Sequence, residues 1–104
     1  MRLDRSESAY YMMIKGELVG GSLDCELGGR EESLFVRRCK TERKTEGDTT
    51  HITCRLYLSG KATEGAAGAL TERAGKLYRE LAERYGDIFG ISGEVSVRCV
   101  IGEE

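Results

Sequence analysis

Four cysteines are the most chemically distinctive residues of this chain, and their spacing decides what they can do. Cys25, Cys39, Cys54 and Cys99 are each separated by more than a dozen residues. Such spacing contains no Cys-x-x-Cys pair, the arrangement that thiol redox centres and zinc knuckles share. A metal site would need all four thiols to converge from distant segments, because His51 is the only imidazole. In their local patterns Cys25, Cys54 and Cys99 fall on core-facing positions, where a free thiol behaves as a small hydrophobe. Cys39 differs, standing between Arg38 and Lys40; neighbouring cations lower a thiol's pKa, so it is expected to react first. Cys54 and Cys99 are expected on neighbouring strands, close enough for a disulfide in an oxidising compartment.

Other chemistries find less support. Nucleophilic catalysis needs a base held beside a Ser or Cys, yet His51 sits on the outward face of a strand with no Gly-rich elbow nearby. The glycine pairs Gly20-Gly21 and Gly28-Gly29 lack a following lysine, and the segment TEGAAGAL lacks the dinucleotide-binding spacing. No catalytic, cofactor-binding or metal-ligating residue is therefore expected. One run remains: Arg37, Arg38, Lys40, Arg43 and Lys44 put five cations into eight positions. It suits an acidic protein, a phosphate backbone or an acidic headgroup. Against nucleic acid stand Glu42 within the run, Glu46 and Asp48 after it, and a total of 16 Lys and Arg against 18 Asp and Glu. Charges on an edge strand that resist association would explain the same run without a ligand.

The elements that must position these residues follow from hydrophobic periodicity. The chain has 104 residues, 39% hydrophobic and 33% charged, which fits one water-soluble domain spanning residues 1–104. No run approaches the roughly 20 apolar residues of a membrane helix, and the first ten residues are too charged for a signal peptide. The run AYYMMIK, Ala9 to Lys15, reads as a strand, with a turn at Gly16-Glu17 and a second short strand at Leu18-Val19. In SLDCEL, Leu23, Cys25 and Leu27 alternate with Asp24 and Glu26, a half-buried strand that Gly28-Gly29 stops. Leu34 to Arg43 and the segment HITCRLYL form a long antiparallel hairpin around Thr45 to Asp48. Its second arm turns Ile52, Cys54, Leu56 and Leu58 to the core and His51, Thr53, Arg55 and Tyr57 outward. From Thr63 to Tyr85 the period becomes helical: Leu70, Ala74, Leu77, Tyr78, Leu81 and Tyr85 make one stripe. Thr63 or Thr71 is the expected cap, Gly86 the stop, and Glu72/Lys76, Arg79/Glu83 and Glu80/Arg84 the solvent-facing pairs. Val95, Val97, Cys99 and Ile101 then alternate as a last strand. The expected class is α+β: a mainly antiparallel sheet, one long amphipathic helix packed on one face, and a C-terminal strand-helix-strand unit. Strands 51–58 and 94–101 are expected to lie parallel through a right-handed crossover.

This order of motifs resembles the C-terminal domain of the Ger(x)C family, the C subunits of bacterial spore germinant receptors. In AYYMMIKGELVGGSL the matching positions are Ala9, Leu18, Val19, Gly20 and Leu23. RRCKTERKTEGDTTHITCRLYLSGKATE resembles the family's long hairpin, which ends shortly before an acid, here Glu64. The helix running into YGDIFGISG resembles the family's Asp-Ile-hydrophobic-Gly segment, here Asp87, Ile88, Phe89 and Gly90, followed by the valine-rich strand Val95 to Ile101. The segment from Gly90 to Val95 is shorter than the Trp- and Pro-containing stretch of the family, and with only internal cysteines the chain lacks a lipobox. The resemblance implies a non-enzymatic assembly domain that binds partner proteins within a membrane-associated spore complex, with Leu18 to Gly20 and Asp87 to Gly90 as contact or folding elements. A second resemblance, of residues 52–101 to the ring-building motif of sporulation channel proteins and to the small βαβ domain of alkaline-shock proteins, implies homo-oligomerisation. A small nucleic-acid-binding module using the basic arm is the further alternative, and a thiol redox or metal protein the last.

Overall fold

A computed structural model describes residues 2–61 and 63–103. The elements run α1 (Arg5–Lys15), β1 (Val19–Leu27), β2 (Arg30–Glu46), β3 (Thr49–Leu58), α2 (Ala66–Tyr85) and β4 (Glu94–Ile101). One mixed sheet has the order β1-β2-β3-β4, antiparallel except for the parallel pair β3–β4. The α+β class and the parallel closing unit agree with the sequence reading, but there are two helices where one was expected.

The added helix replaces the strand expected at Ala9 to Lys15. Its start is written just upstream: Asp4 accepts the Glu7 N–H at 2.7 Å while the Glu7 carboxylate accepts the Asp4 N–H at 3.2 Å. This reciprocal capping box satisfies two donors that an open helix end would leave free. Gly16, at φ 84, ends the helix in the left-handed region that a side chain would resist. Tyr10, Met13 and Ile14 lie three and four positions apart and are fully buried. The five apolar residues from Tyr10 to Ile14 mask that spacing in the sequence. Leu18-Val19 is likewise no separate strand, since Val19 opens β1.

The hairpin turns are short. Leu27 faces Arg30 across Gly28-Gly29, both with positive φ, which matches the twist of the strands they join. Glu46 faces Thr49 across Gly47-Asp48. Between these turns β2 runs for 17 residues, which fully extended would reach about 56 Å, whereas the longest extent of the molecule is 36 Å. The strand has to bend, and its register breaks between Val36 and Arg38. β1 pairs with the first half of β2 and β3 with the second.

α2 carries the expected stripe, with Leu70, Ala74, Leu77 and Leu81 buried. Its start differs from expectation: the cap is Gly65, with no side-chain hydrogen bond, and Thr71 lies inside the second turn. The helix charges also reach across elements, Arg84 to Glu7 on α1 and Arg73 to Glu31 at 3.6 Å. Both helices contact strands through one shared core with Leu23, Cys25, Val36, Ile52, Leu56 and Cys99. On the opposite side of the sheet His51, Arg55, Ser96 and Arg98 are exposed. Among the described residues no helix is long and apolar enough to cross a membrane.

Because Leu77 is buried, Leu77→Ala should lower the unfolding free energy by about 2 to 5 kcal/mol. Asp4→Ala should lower it by about 1 kcal/mol and remove helical ellipticity contributed by α1. Urea denaturation followed by circular dichroism measures both, and a Leu77→Ala loss under about half a kcal/mol contradicts the packing described.

Candidate interaction surface

The thiols are placed first by the sheet. Cys25, Cys54 and Cys99 are buried, Cys39 is half-buried, and all four are free. Cys54 and Cys99 are register partners on β3 and β4, and Thr41, two residues after Cys39, faces Cys54 on β2. Cys39 and Cys54 on adjacent strands interact through their side chains, as Cys54 and Cys99 do, and Cys39 Sγ lies 3.3 Å from Thr41 Oγ1. The expected reactivity of Cys39 is not supported by this geometry. Its hydrogen bond to Cys54, with burial second, pushes the thiol up rather than down. At Cys54 the bond to Cys39 lowers the pKa, but the bond to Cys99 and burial outweigh it and raise the thiol to about 12. The reason lies in the bend of β2. Val36 and Cys39 both face the helices, so Arg37 and Arg38 occupy one extra position together and both are exposed. Unbroken alternation from Leu34 and Val36 would have turned Arg38 inward and Cys39 outward. Among the described residues no three His, Cys, Asp or Glu side chains are placed to hold a metal ion.

The same bend brings together candidates that are distant in sequence. Val19 on β1 is the register partner of Arg38 on β2. Val19 is 81% exposed and Phe35, beside it, is 50% exposed; these are the exposed large hydrophobics of the described chain. Gly20 takes a left-handed φ of 67, which a side chain would resist, and the Phe35 ring lies 3.9 Å from where its Cβ would be, an ordinary contact distance. Arg38 stacks over the Tyr57 ring at 4.2 Å, and Arg37 Nε donates to the Leu58 carbonyl at 3.4 Å. One row further Lys40 stands directly opposite Arg55. Lys44 pairs with Glu46 at 3.2 Å, with His51 4.0 Å from the same carboxylate. Phe35, Arg55 and Arg98 join this surface without having been singled out from sequence. The signal was present for Phe35 in its position between the inward Leu34 and Val36.

The remaining candidates serve folding. Leu18 is buried. Arg43 faces the helices and donates to the Phe89 carbonyl at 3.3 Å, while Lys15 reaches the Ile88 carbonyl at 3.5 Å. Asp87 accepts the Ile91 N–H at 2.8 Å. Phe89 is buried between Tyr78 and Tyr11, with ring centroids at 4.7 and 5.4 Å. The Asp87 to Gly90 segment is thus an anchored loop whose central side chain is withdrawn from solvent.

Helix side chains occupy the sheet edges. On β1 the Asp24 carbonyl accepts from the Tyr10 hydroxyl at 2.8 Å. On β4 the Cys99 N–H donates to Thr71 Oγ1 at 3.0 Å. Where β1 has ended, Thr41 on β2 donates to the Met13 carbonyl of α1 at 2.9 Å. A strand seeking to add to either edge would have to break these bonds.

No protein-family model matches the chain, and no curated protein matches it in sequence. Among solved structures it is similar to the crystal structure of the GerBC protein, with a TM-score of 0.53 and 13% identity, over 97% of this chain and 46% of that one. The chain spans less than half the length of the GerBC chain. At this identity the likeness is one of fold, and it lies in the direction of the germinant-receptor resemblance.

The raised thiols set a pH dependence. A group that keeps its proton longer in the folded than in the unfolded state stabilises the fold below its unfolded pKa and loses that contribution as pH rises. Stability should be level up to the ordinary thiol value of 9.0 and fall as pH rises toward about 12, the value for Cys54. Urea midpoints measured across this window should show the fall, and Cys54→Ala should flatten it even though the variant is less stable throughout. In native buffer Cys39 should be alkylated far more slowly than a thiol in the urea-unfolded chain.

Proposed function

We propose that this chain is a non-enzymatic interaction domain, resembling a germinant-receptor C-subunit domain, that binds a partner protein within a membrane-associated spore complex. The observation that carries the reading is the pairing of Val19 with Arg38, which sets two exposed apolar side chains beside an Arg–Tyr stack on the face that no helix covers. Single exposed apolar side chains are ordinary, whereas Val19 and Phe35, at 81% and 50% exposure, flank Gly20 on one face, and neighbouring apolar groups with a polar rim mark contact sites. Arg, Tyr and Phe are also the residue types that interfaces favour. The fold likeness to GerBC supports the receptor side of the reading.

The mode of binding follows from the edges. With helix hydroxyls already bonded to Asp24 and Cys99, strand addition is disfavoured and the partner meets the sheet through its side chains. Arg43, in this account, belongs to the support of the Phe89 loop and not to the contact.

The experiment is capture from sporulating cells with the wild-type chain and with a Val19→Ser/Phe35→Ser variant as bait, the two baits first matched for fold by circular dichroism. The wild-type bait should recover germinant-receptor subunits, and the variant should lose at least about tenfold of that recovery, the scale of one hot-spot side chain. Recovery of nucleic acid alone, undiminished recovery by the variant, or a substrate turned over by the purified chain overturns the reading.

A further inference from the structure

Beyond the bend of β2 the uncovered face is unusual in charge. Lys40 stands directly opposite Arg55, Arg38 lies one row away, and Arg98 on β4 stands beside Thr53, whose β2 neighbour is Glu42. Lys40, Arg55 and Arg98 are all exposed. Like charges placed directly across a strand pair repel and weaken the sheet. Ion pairs between cations and carboxylates occur on other elements, Arg84 with Glu7, Arg73 with Glu31 and Lys44 with Glu46, and on this face Glu42 is the carboxylate nearest to Lys40 along β2. The chain as a whole is acidic, with a net charge of −2, so the cluster is local and not a by-product of composition.

Resting on the interaction reading above, we infer that Arg38, Lys40, Arg55 and Arg98 form the docking site for a carboxylate-rich segment of a partner protein. Three of the four cations are arginines, whose planar guanidinium forks fit carboxylates two bonds at a time. Val19 and Phe35 border the cluster, so an acidic segment with an apolar neighbour would meet both features at once. Nucleic acid fits less well, because sheets that read single strands offer open aromatic rings for base stacking. Here the Tyr57 ring is covered by Arg38 at 4.2 Å, and a Cβ built on Gly102 would already lie 2.7 Å from that ring. That leaves Phe35, at 50% exposure, as the one open ring beside the cluster among the described residues, where sheets that read single strands stack two or three bases.

The test is amide chemical-shift titration of the full chain with a poly-glutamate peptide, a thymidine oligonucleotide of equal charge, and vesicles containing phosphatidylglycerol. The peptide should shift the amides around Arg38, Lys40, Arg55 and Arg98, with affinity falling as salt rises. Lys40→Glu should weaken peptide binding by about tenfold or more and at the same time raise the melting temperature, because it turns a repulsive cross-strand pair into an attractive one. Gain of stability with loss of binding is a signature that a purely structural role would not produce. Absence of shifts at these residues, tighter binding of the oligonucleotide or the vesicles, or a Lys40→Glu variant that binds the peptide as well as the wild type overturns the inference. If receptor subunits are still captured through Val19 and Phe35 while the peptide does not bind, this inference alone fails. If the peptide binds and capture fails, the interaction reading alone fails.

Discussion

The bend in β2 is the constraint on which the rest of the molecule depends. A single strand has to serve as the partner of β1 over its first half and of β3 over its second, and it does so by inserting one extra residue between Val36 and Arg38. The inserted residue changes the direction of the strand and also resets which side chains face the helices. Two consecutive arginines become exposed, and Cys39, Thr41 and Arg43 turn toward the helices. The side-chain contact of Cys39 with Cys54, the anchoring of the Phe89 loop by Arg43, and the meeting of Val19 with Arg38 all follow from that one reset. A straight β2 would scatter these groups to opposite faces.

Hydroxyl groups from the helices complete the enclosure. A short mixed sheet has two edges whose N–H and C=O groups invite another strand. Tyr10 and Thr71 each place a hydroxyl on one of these edges, so the elements that bury the core also restrict how another chain can approach. Thr71 shows the double duty most plainly. It sits on the helix stripe between Leu70 and Ala74, and its oxygen, 2.7 Å from the Ala67 carbonyl, also receives the Cys99 N–H.

The contrast between the two faces of the sheet gives the functional reading its physical content. The helix-covered face holds thiols, aliphatic side chains and the aromatic stack of Phe89 with Tyr11 and Tyr78, and burial there suppresses ionisation: Tyr10 is pushed up by desolvation, as Cys25 is. Such a face is built for packing, and its thiols act as apolar filler. The opposite face carries arginines, lysines, an aromatic ring and two exposed apolar side chains, a composition with little to offer a folded core and the one on which the proposed contact rests.

Much of this was legible in the residues. α2 could be read because its stripe contrasts with a charged flank, and β3 and β4 because their alternation is unbroken from Ile52 to Leu58 and from Val95 to Ile101. The parallel closing unit then followed from the order of elements. α1 was misread because five consecutive apolar residues carry no period; its capping box, Asp4 with Glu7, was the one local clue. The bulge left no mark in the residues, since Arg37-Arg38 reads equally well as any charged stretch of strand. Sequence periodicity thus determined the class, the core of α2, β3 and β4, and the burial of three cysteines, because burial along a regular element depends only on neighbours a few residues away. Which candidate residues meet was decided by the tertiary structure alone, because the pairing of Val19 with Arg38 and of Lys40 with Arg55 depends on strand register, and register is set by the bend that fits a strand of 17 residues into so small a molecule.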